Sequence, residues 1–294
     1  MSRTSLLTTC ALAASLLAAD PAFARLVVDG RSRGGRCSDS RPPARVSVRT
    51  PWCSLGAAVR MAKGTVLVRR GSYPALSFDD HVTPIAFRAY GRERPSVGLV
   101  SIGDSAGFSF RGFRFRSEVD LTNVSHCSFS DNVTVQRPAG LRTLSGYTVT
   151  GVRDARWARN SVRRGMFGIH FRWGGVKNVQ IVGNRFEKLG GQGIHLQQAD
   201  NVRIARNVFS DIVPRRDMDP AAHADAVQAL GPSRDTVFDG NRVSGGRGFL
   251  LMFAPADVGM RAGQLGVMVK NNVFTGRDFG VRVFSSPGIR IVHN

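Results

Sequence analysis

One short motif constrains this chain more than any other feature. It reads apolar-x-apolar, one or two residues, Asn, then an apolar or aromatic position. It runs Val179-Gln180-Ile181-Val182-Gly183-Asn184-Arg185-Phe186, then Val202-Arg203-Ile204-Ala205-Arg206-Asn207-Val208-Phe209. It returns from Val237 to Val243, from Val267 to Phe274 and from Ile289 to Asn294, and weaker copies pass through Asn132 and Asn160. The Asn positions are 132, 160, 184, 207, 241, 272 and 294, at spacings of 28, 24, 23, 34, 31 and 22. Such a period predicts a solenoid of stacked β-coils. Each strand alternates inward apolar and outward polar residues. Asn suits the turn because it tolerates left-handed backbone angles, and stacked Asn side chains can hydrogen-bond from coil to coil.

A second strand precedes each copy: Gly168-Ile169-His170-Phe171-Arg172, Gly193-Ile194-His195-Leu196-Gln197, Asp225-Ala226-Val227-Gln228, Gly248-Phe249-Leu250-Leu251 and Gly280-Val281-Arg282-Val283. No helical period separates the strands, which excludes an ordinary βαβ fold. A propeller blade would need roughly 40 to 45 residues per repeat. Ser54 to Lys63 reads as a short amphipathic helix with Leu55, Val59 and Ala62 on one side. It leads into Gly64-Thr65-Val66-Leu67-Val68, and a helix there would cap the open end of the stack.

Residues 1–24 read as a signal peptide: Arg3, an apolar run from Leu6 to Ala19, and Ala22-Phe23-Ala24 as the cleavage site. Residues 25–63 form an N-terminal segment with the capping helix, and 64–294 the solenoid. The apolar run is shorter than the ~20 residues of a comfortable membrane span. A secreted or periplasmic protein is therefore expected. Cys37 and Cys53 flank Arg41-Pro42-Pro43 and can close it as a loop, while Cys127 reads as a buried thiol in the stack. The absence of any C-x-x-C pair argues against zinc held by cysteine. The formal charge is +20, a field that attracts polyanions. For an exported protein an acidic glycan is the expected partner and nucleic acid is not. The chain ends on Asn294 at the turn of a repeat, which leaves a coil open to self-association or to a covering partner.

On these repeats, from roughly Ser54 to Asn294, the chain resembles the pectate-lyase-like superfamily of right-handed β-helix proteins. It is most similar to the exported NosD-type repeat group. The resemblance implies an all-β, right-handed parallel β-helix. The superfamily hosts lyases, hydrolases, epimerases and non-catalytic adhesins, so the fold does not fix the reaction.

The widest Asn spacing holds Pro214-Arg215-Arg216-Asp217-Met218-Asp219-Pro220-Ala221-Ala222-His223-Ala224-Asp225, an inserted loop beside a groove. His170, His195 and Gln228 align as outward positions on three successive coils, with Arg172 and Gln197 next to them. Coils lie ~4.8 Å apart, so three stacked side chains span one or two sugar units. The string from His223 through Asp225 to Gln228 resembles an H-x-D-x-x-Q pattern of carbohydrate-active exported β-helix proteins. A polysaccharide lyase must neutralise a uronate carboxylate, remove the adjacent proton and protonate the leaving oxygen. Arg172 or Ca²⁺ can neutralise, and neutral His170 or His195 can act as base, with His223 and Asp225 beside them. Asp217, Asp219 and Asp225 can hold Ca²⁺, if any cofactor is used at all. Gln197, Gln228, Arg282 and Trp173 are candidate substrate contacts. Of Trp157, Trp173 and Phe171, at least one is expected to pack inward. Glu187 and Lys188 are expected on a solvated turn.

The leading expectation is a lyase that cleaves an acidic polysaccharide by β-elimination. A C5-epimerase would use nearly the same parts. A glycoside hydrolase, expected as an inverting one, would need two carboxyls about 5 to 9.5 Å apart, which Asp217, Asp219 and Asp225 can supply with His223 as an orienting neighbour. A non-catalytic polysaccharide-binding protein would use the basic face alone.

Overall fold

The computed structural model describes residues 26–31, 36–136, 145–173, 175–214, 224–246, 249–254, 264–275, 279–284 and 288–294. Residues 1–24 thus lie outside the described residues. Among those described, every strand pairing is parallel and one α-helix is present, Leu55–Met61. Each turn of chain lays down up to three strands, one per face. The first face includes Val119–Ser125, Phe167–Phe171, Ile194–Gln197, Val227–Leu230, Phe249–Ala254 and Phe279–Val283. The second includes Gly64–Val68, Val176–Val182, Ala199–Ala205 and Val267–Lys270. The third includes Ser72–Tyr73, Ser96–Val97, Arg114–Phe115, Arg185–Glu187 and Val208–Ile212. The long strand Ser145–Ala158 runs through the bend from the first face to the second. This is a parallel β-helix.

The core is a set of inward columns that the register keeps aligned from coil to coil. One runs Phe87, Phe110, Phe129, Trp157, Ile181, Ile204, Phe238 and Val269. All eight are buried. Its early part is a ring stack, with centroids 5.0 Å apart for Phe87–Phe110, 5.7 Å for Phe110–Phe129 and 5.8 Å for Phe129–Trp157. Burying aromatic side chains that also stack contributes more per coil than aliphatic contact alone. The coils of Phe87 and Phe110 lack the Asn motif and are held this way. That is why the Asn period undercounts the coils.

From coil to coil the seven motif asparagines form one ladder, buried from Asn132 to Asn272. The Asn184 Oδ1 accepts from the Asn160 backbone N–H at 2.9 Å, and the Asn207 Oδ1 accepts from that of Asn184 at 2.8 Å. The ladder continues through Asn241 and Asn272 to Asn294. The turn conformation corrects one expectation. The left-handed residue is the one before each ladder Asn: Asp131, Arg159, Gly183, Arg206, Gly240, Asn271 and His293, with φ between 52° and 66°. The Asn side chain must point inward to reach its neighbours, so the preceding residue takes up the bend at the surface.

The helix has Ser54 as its N-cap, with the hydroxyl accepting from the Ala57 N–H at 3.2 Å, and buries Leu55, Ala57 and Ala58. The sheet already begins before it. Leu26–Val28, rich in β-branched residues, pairs with Val66–Val68 inside the segment that precedes the helix. Cys37 and Cys53 form a disulfide, and Cys127 is a buried free thiol. Glu187 is not on a solvated turn. It lies in a third-face strand, where its half-buried carboxylate pairs with Arg163 and Arg185. No helix among the described residues is long and apolar enough to cross a membrane.

Candidate active site

The x-Gly-Ile-His tetrads bring the chain from the third face onto the first in a tight bend. A Cβ at Gly193 would lie 2.5 Å from the Ala226 carbonyl oxygen and 2.6 Å from the Phe209 ring. Gly168 is equally confined, against Phe186 and the Gly193 carbonyl. At these two bends there is no room for a side chain, whereas the next coil carries Ala226 at the same offset. Gly193→Ala is therefore expected to cost about 1–3 kcal/mol by overpacking, read from urea melts. Gly280→Ala, where the added methyl meets nothing within 4 Å among the described residues, should cost less, and equal losses would contradict the packing argument.

The bend delivers two parallel columns of polar side chains onto the first face. In one, Thr148, His170, His195, Gln228, Met252 and Arg282 follow in register on successive coils. In the other, Phe167, Gln192 and Asp225 each stand three positions before a member of the first, joined by the hydrogen bonds Gly168 N–H to Gln192 O and Gly193 N–H to Asp225 O. The His170 and His195 rings stack with centroids 4.8 Å apart, and Phe167 lies 4.4 Å from His170. Phe167 thus walls one side of the pair. Asp225 is fully buried, Gln228 and Gln192 nearly so.

Neither ring nitrogen of His195 has a hydrogen-bond partner among the described residues, and the Gln197 Oε1 is likewise buried without one. Burial lowers the His195 pKa to about 4. Burial, then the neighbouring His195 and Arg172, lower that of His170 to about 3. Both rings are neutral at pH 7. These depressed values make stability depend on pH with a definite sign. The unfolded histidines bind protons near 6.5 while the folded ones do not. Stability is full above pH ~6.5 and is lost as pH falls through about 4 and then about 3. After solvent screening the loss is on the order of 2 kcal/mol. A His170→Gln/His195→Gln double variant should show a flatter fall of Tm between pH 6.5 and 4. Parallel curves for variant and parent would contradict the assignment.

Arg172 and Trp173 follow the His170 strand, both exposed, and Arg172 is close enough to affect His170. Arg282 is exposed two coils beyond Gln228, with its guanidinium 4.0 Å from the Phe284 ring centre. Trp157 and Phe171 are buried in the core, so of the three aromatic candidates only Trp173 faces solvent. His223, Asp217 and Asp219 lie outside the described residues. Sequence reasoning passed over Phe167, Gln192, Thr148 and Met252. The signal for the first two was present: F-G-I-H, Q-G-I-H and D-A-V-Q share one offset. Thr148 donates to the Glu118 carboxylate, and on the side away from His195 the column continues in register through Asp120 and Ser101.

The fold is a parallel β-helix that carries this columned face. Among solved structures the chain is similar to pectate lyase Pel9A, with a TM-score of 0.59 and 15% identity over 89% of this chain and 77% of that one. A rhamnogalacturonan lyase matches with a TM-score of 0.56 and 12% identity over 92% and 85%. The GH136 lacto-N-biosidase from Eubacterium ramulus matches with 0.56 and 13% over 92% and 68%. No family model matches the chain, and neither does any curated protein sequence. At such identities the likeness is one of fold.

Proposed function

We propose that this protein is an exported carbohydrate-active enzyme that cleaves an acidic polysaccharide by β-elimination at a uronate. The observation that carries the reading is the stacked neutral pair His170 and His195, set in a polar column with the ring nitrogens of His195 unengaged and Arg172 alongside. A parallel β-helix face suits a polymer laid across successive coils, and two of the similar structures are polysaccharide lyases. The Cys37–Cys53 disulfide suits an oxidising compartment outside the cytoplasm.

In this reading Arg172 pairs with the uronate carboxylate and makes the adjacent C5 proton more acidic. His195 takes that proton, the C4–O4 bond breaks, and a C4=C5 double bond forms. The imidazolium then returns the proton to the leaving oxygen. A free-protein pKa of about 4 makes His195 a weak base, and the bound carboxylate raises it again by supplying the opposite charge. Gln197, Gln228, Arg282 and Trp173 hold neighbouring sugars, and buried Asp225 braces the floor beside Gln228. No step is assigned to a metal. A hydrolytic mechanism is less well supported: among the described residues, the carboxyls at the column are Asp225, which is fully buried, Glu118, which is bound by Thr148, and Asp120, which stands in register with Thr148 two coils before His170.

The test is an ultraviolet assay for unsaturated uronate products, with pectate, alginate, glucuronan and glycosaminoglycans, each with and without Ca²⁺. Rising absorbance on one polymer supports the reading. New reducing ends without absorbance would replace it with hydrolysis, and neither product would leave a binding protein or epimerase.

A further inference from the structure

Far from the histidine column, at the N-terminal end of the third face, a groove of about 620 Å³ is lined by Arg31, Arg70, Arg94, Arg114 and Arg116. Its floor is small. Gly71 leads into it, and Ser72, Ser96 and Arg114 stack in register on three successive coils. Strand alternation then places both Arg114 and Arg116 outward around buried Phe115. All five arginines are exposed. Arg116 donates to the Tyr73 carbonyl at 2.8 Å, and none of the five forms an ion pair among the described residues. The carboxylates at this end are engaged elsewhere. Glu93 binds the Arg69 guanidinium and the Arg70 backbone N–H, and Asp29 accepts from the Arg31 backbone N–H.

Five guanidinium groups around one floor repel one another unless an anion sits among them. Each offers a planar fork that fits a carboxylate in bidentate fashion. Three coils at ~4.8 Å give a floor long enough for one or two sugar residues, more than a single small anion requires. The lining carries no aromatic side chain on which a nucleic-acid base would stack. We infer that this groove is a second, non-catalytic binding site for a carboxylate-bearing polysaccharide chain, which holds the polymer on the protein while the first face acts on it. The polymer class rests on the function proposed above; the arginine groove does not.

The experiment measures polygalacturonate and alginate binding by affinity electrophoresis and calorimetry, using His195→Ala protein so that nothing is cleaved. Arg94→Glu with Arg114→Glu is expected to weaken binding roughly ten-fold or more and to flatten its salt dependence. The charge-matched pair Arg49→Glu and Arg60→Glu, exposed and outside the groove, should stay near the parent. Arg94→Gln with Arg114→Gln provides a milder second variant, and thermal melts check that each is folded. Equal loss in the control pair, or no loss in either groove variant, would overturn the inference. So would a single-stranded oligonucleotide that displaces both polymers at lower concentration. These binding results are independent of the product assay: a failed reaction with groove-dependent binding would sink only the enzymatic reading.

Discussion

His195→Ala is expected to lower the rate of unsaturated-product formation by about 100-fold or more, the range that a positioned general base contributes. The ring sits between His170 and Gln228 in the column and has both nitrogens unengaged. Its loss therefore removes the base without unpairing any protein group. Thermal stability should change little, because a neutral half-buried ring is exchanged for a methyl next to the retained His170. His195→Gln, which keeps the bulk but cannot take a proton, should be as inactive as the alanine variant. That pair separates proton transfer from packing. Arg172→Ala should lower kcat and raise KM together, since it touches both the bound carboxylate and the charge that develops beside it. A His195→Ala protein that retains the parental rate would remove the column from the mechanism.

The largest stability effect is expected at Asn207. This residue is fully buried. Its Oδ1 accepts from the Asn184 N–H at 2.8 Å and the Asn184 Nδ2 at 3.0 Å. Its Nδ2 donates to the Ile181 carbonyl at 2.8 Å and to the Asn241 Oδ1 at 3.0 Å. Asn207→Ala leaves these partners buried and unpaired and opens a cavity as well. At roughly 1–3 kcal/mol for each stranded group, partly relieved by relaxation, the cost is about 3–5 kcal/mol. Asn294→Ala, at the part-buried end of the ladder, should cost about 1 kcal/mol. Chemical denaturation of the two variants would measure the difference. Similar losses at both sites would mean that the ladder does not act as a buried network.

The two variants also mark how far the sequence could be read. A bend that recurs at a fixed place in every coil repeats its chemistry, so Asn184, Asn207, Asn241 and their counterparts are visible as a period. Alternation within short strands likewise assigns Ile169, Ile194 and Val227 to the core and His170 and His195 to the outer column, whereas Gln228, read outward in the same way, is buried. The opening coils escaped that reading because Phe87 and Phe110 hold them by ring stacking. Stacking places a demand on residue size at one position per coil and needs no recurring polar residue. The left-handed turn residue was misplaced by one for a related reason: Arg159 and Arg206 are not turn formers by type, and only the inward demand on the following Asn forces them there.

By itself, then, the sequence determined the repeat, the parallel stacking it requires and the outward column, because each follows from a local period. Tertiary structure alone decided the rest. The pKa values of His170 and His195 depend on burial and on rings 4.8 Å apart. The burial of Asp225, in contrast to its place in line with Phe167 and Gln192, follows from the packing around it. The arginine groove joins Arg31 to Arg116 across a long stretch of chain. Solvation and charge interaction depend on distances in space, and in a solenoid those distances are set by how the coils register, which no single segment encodes.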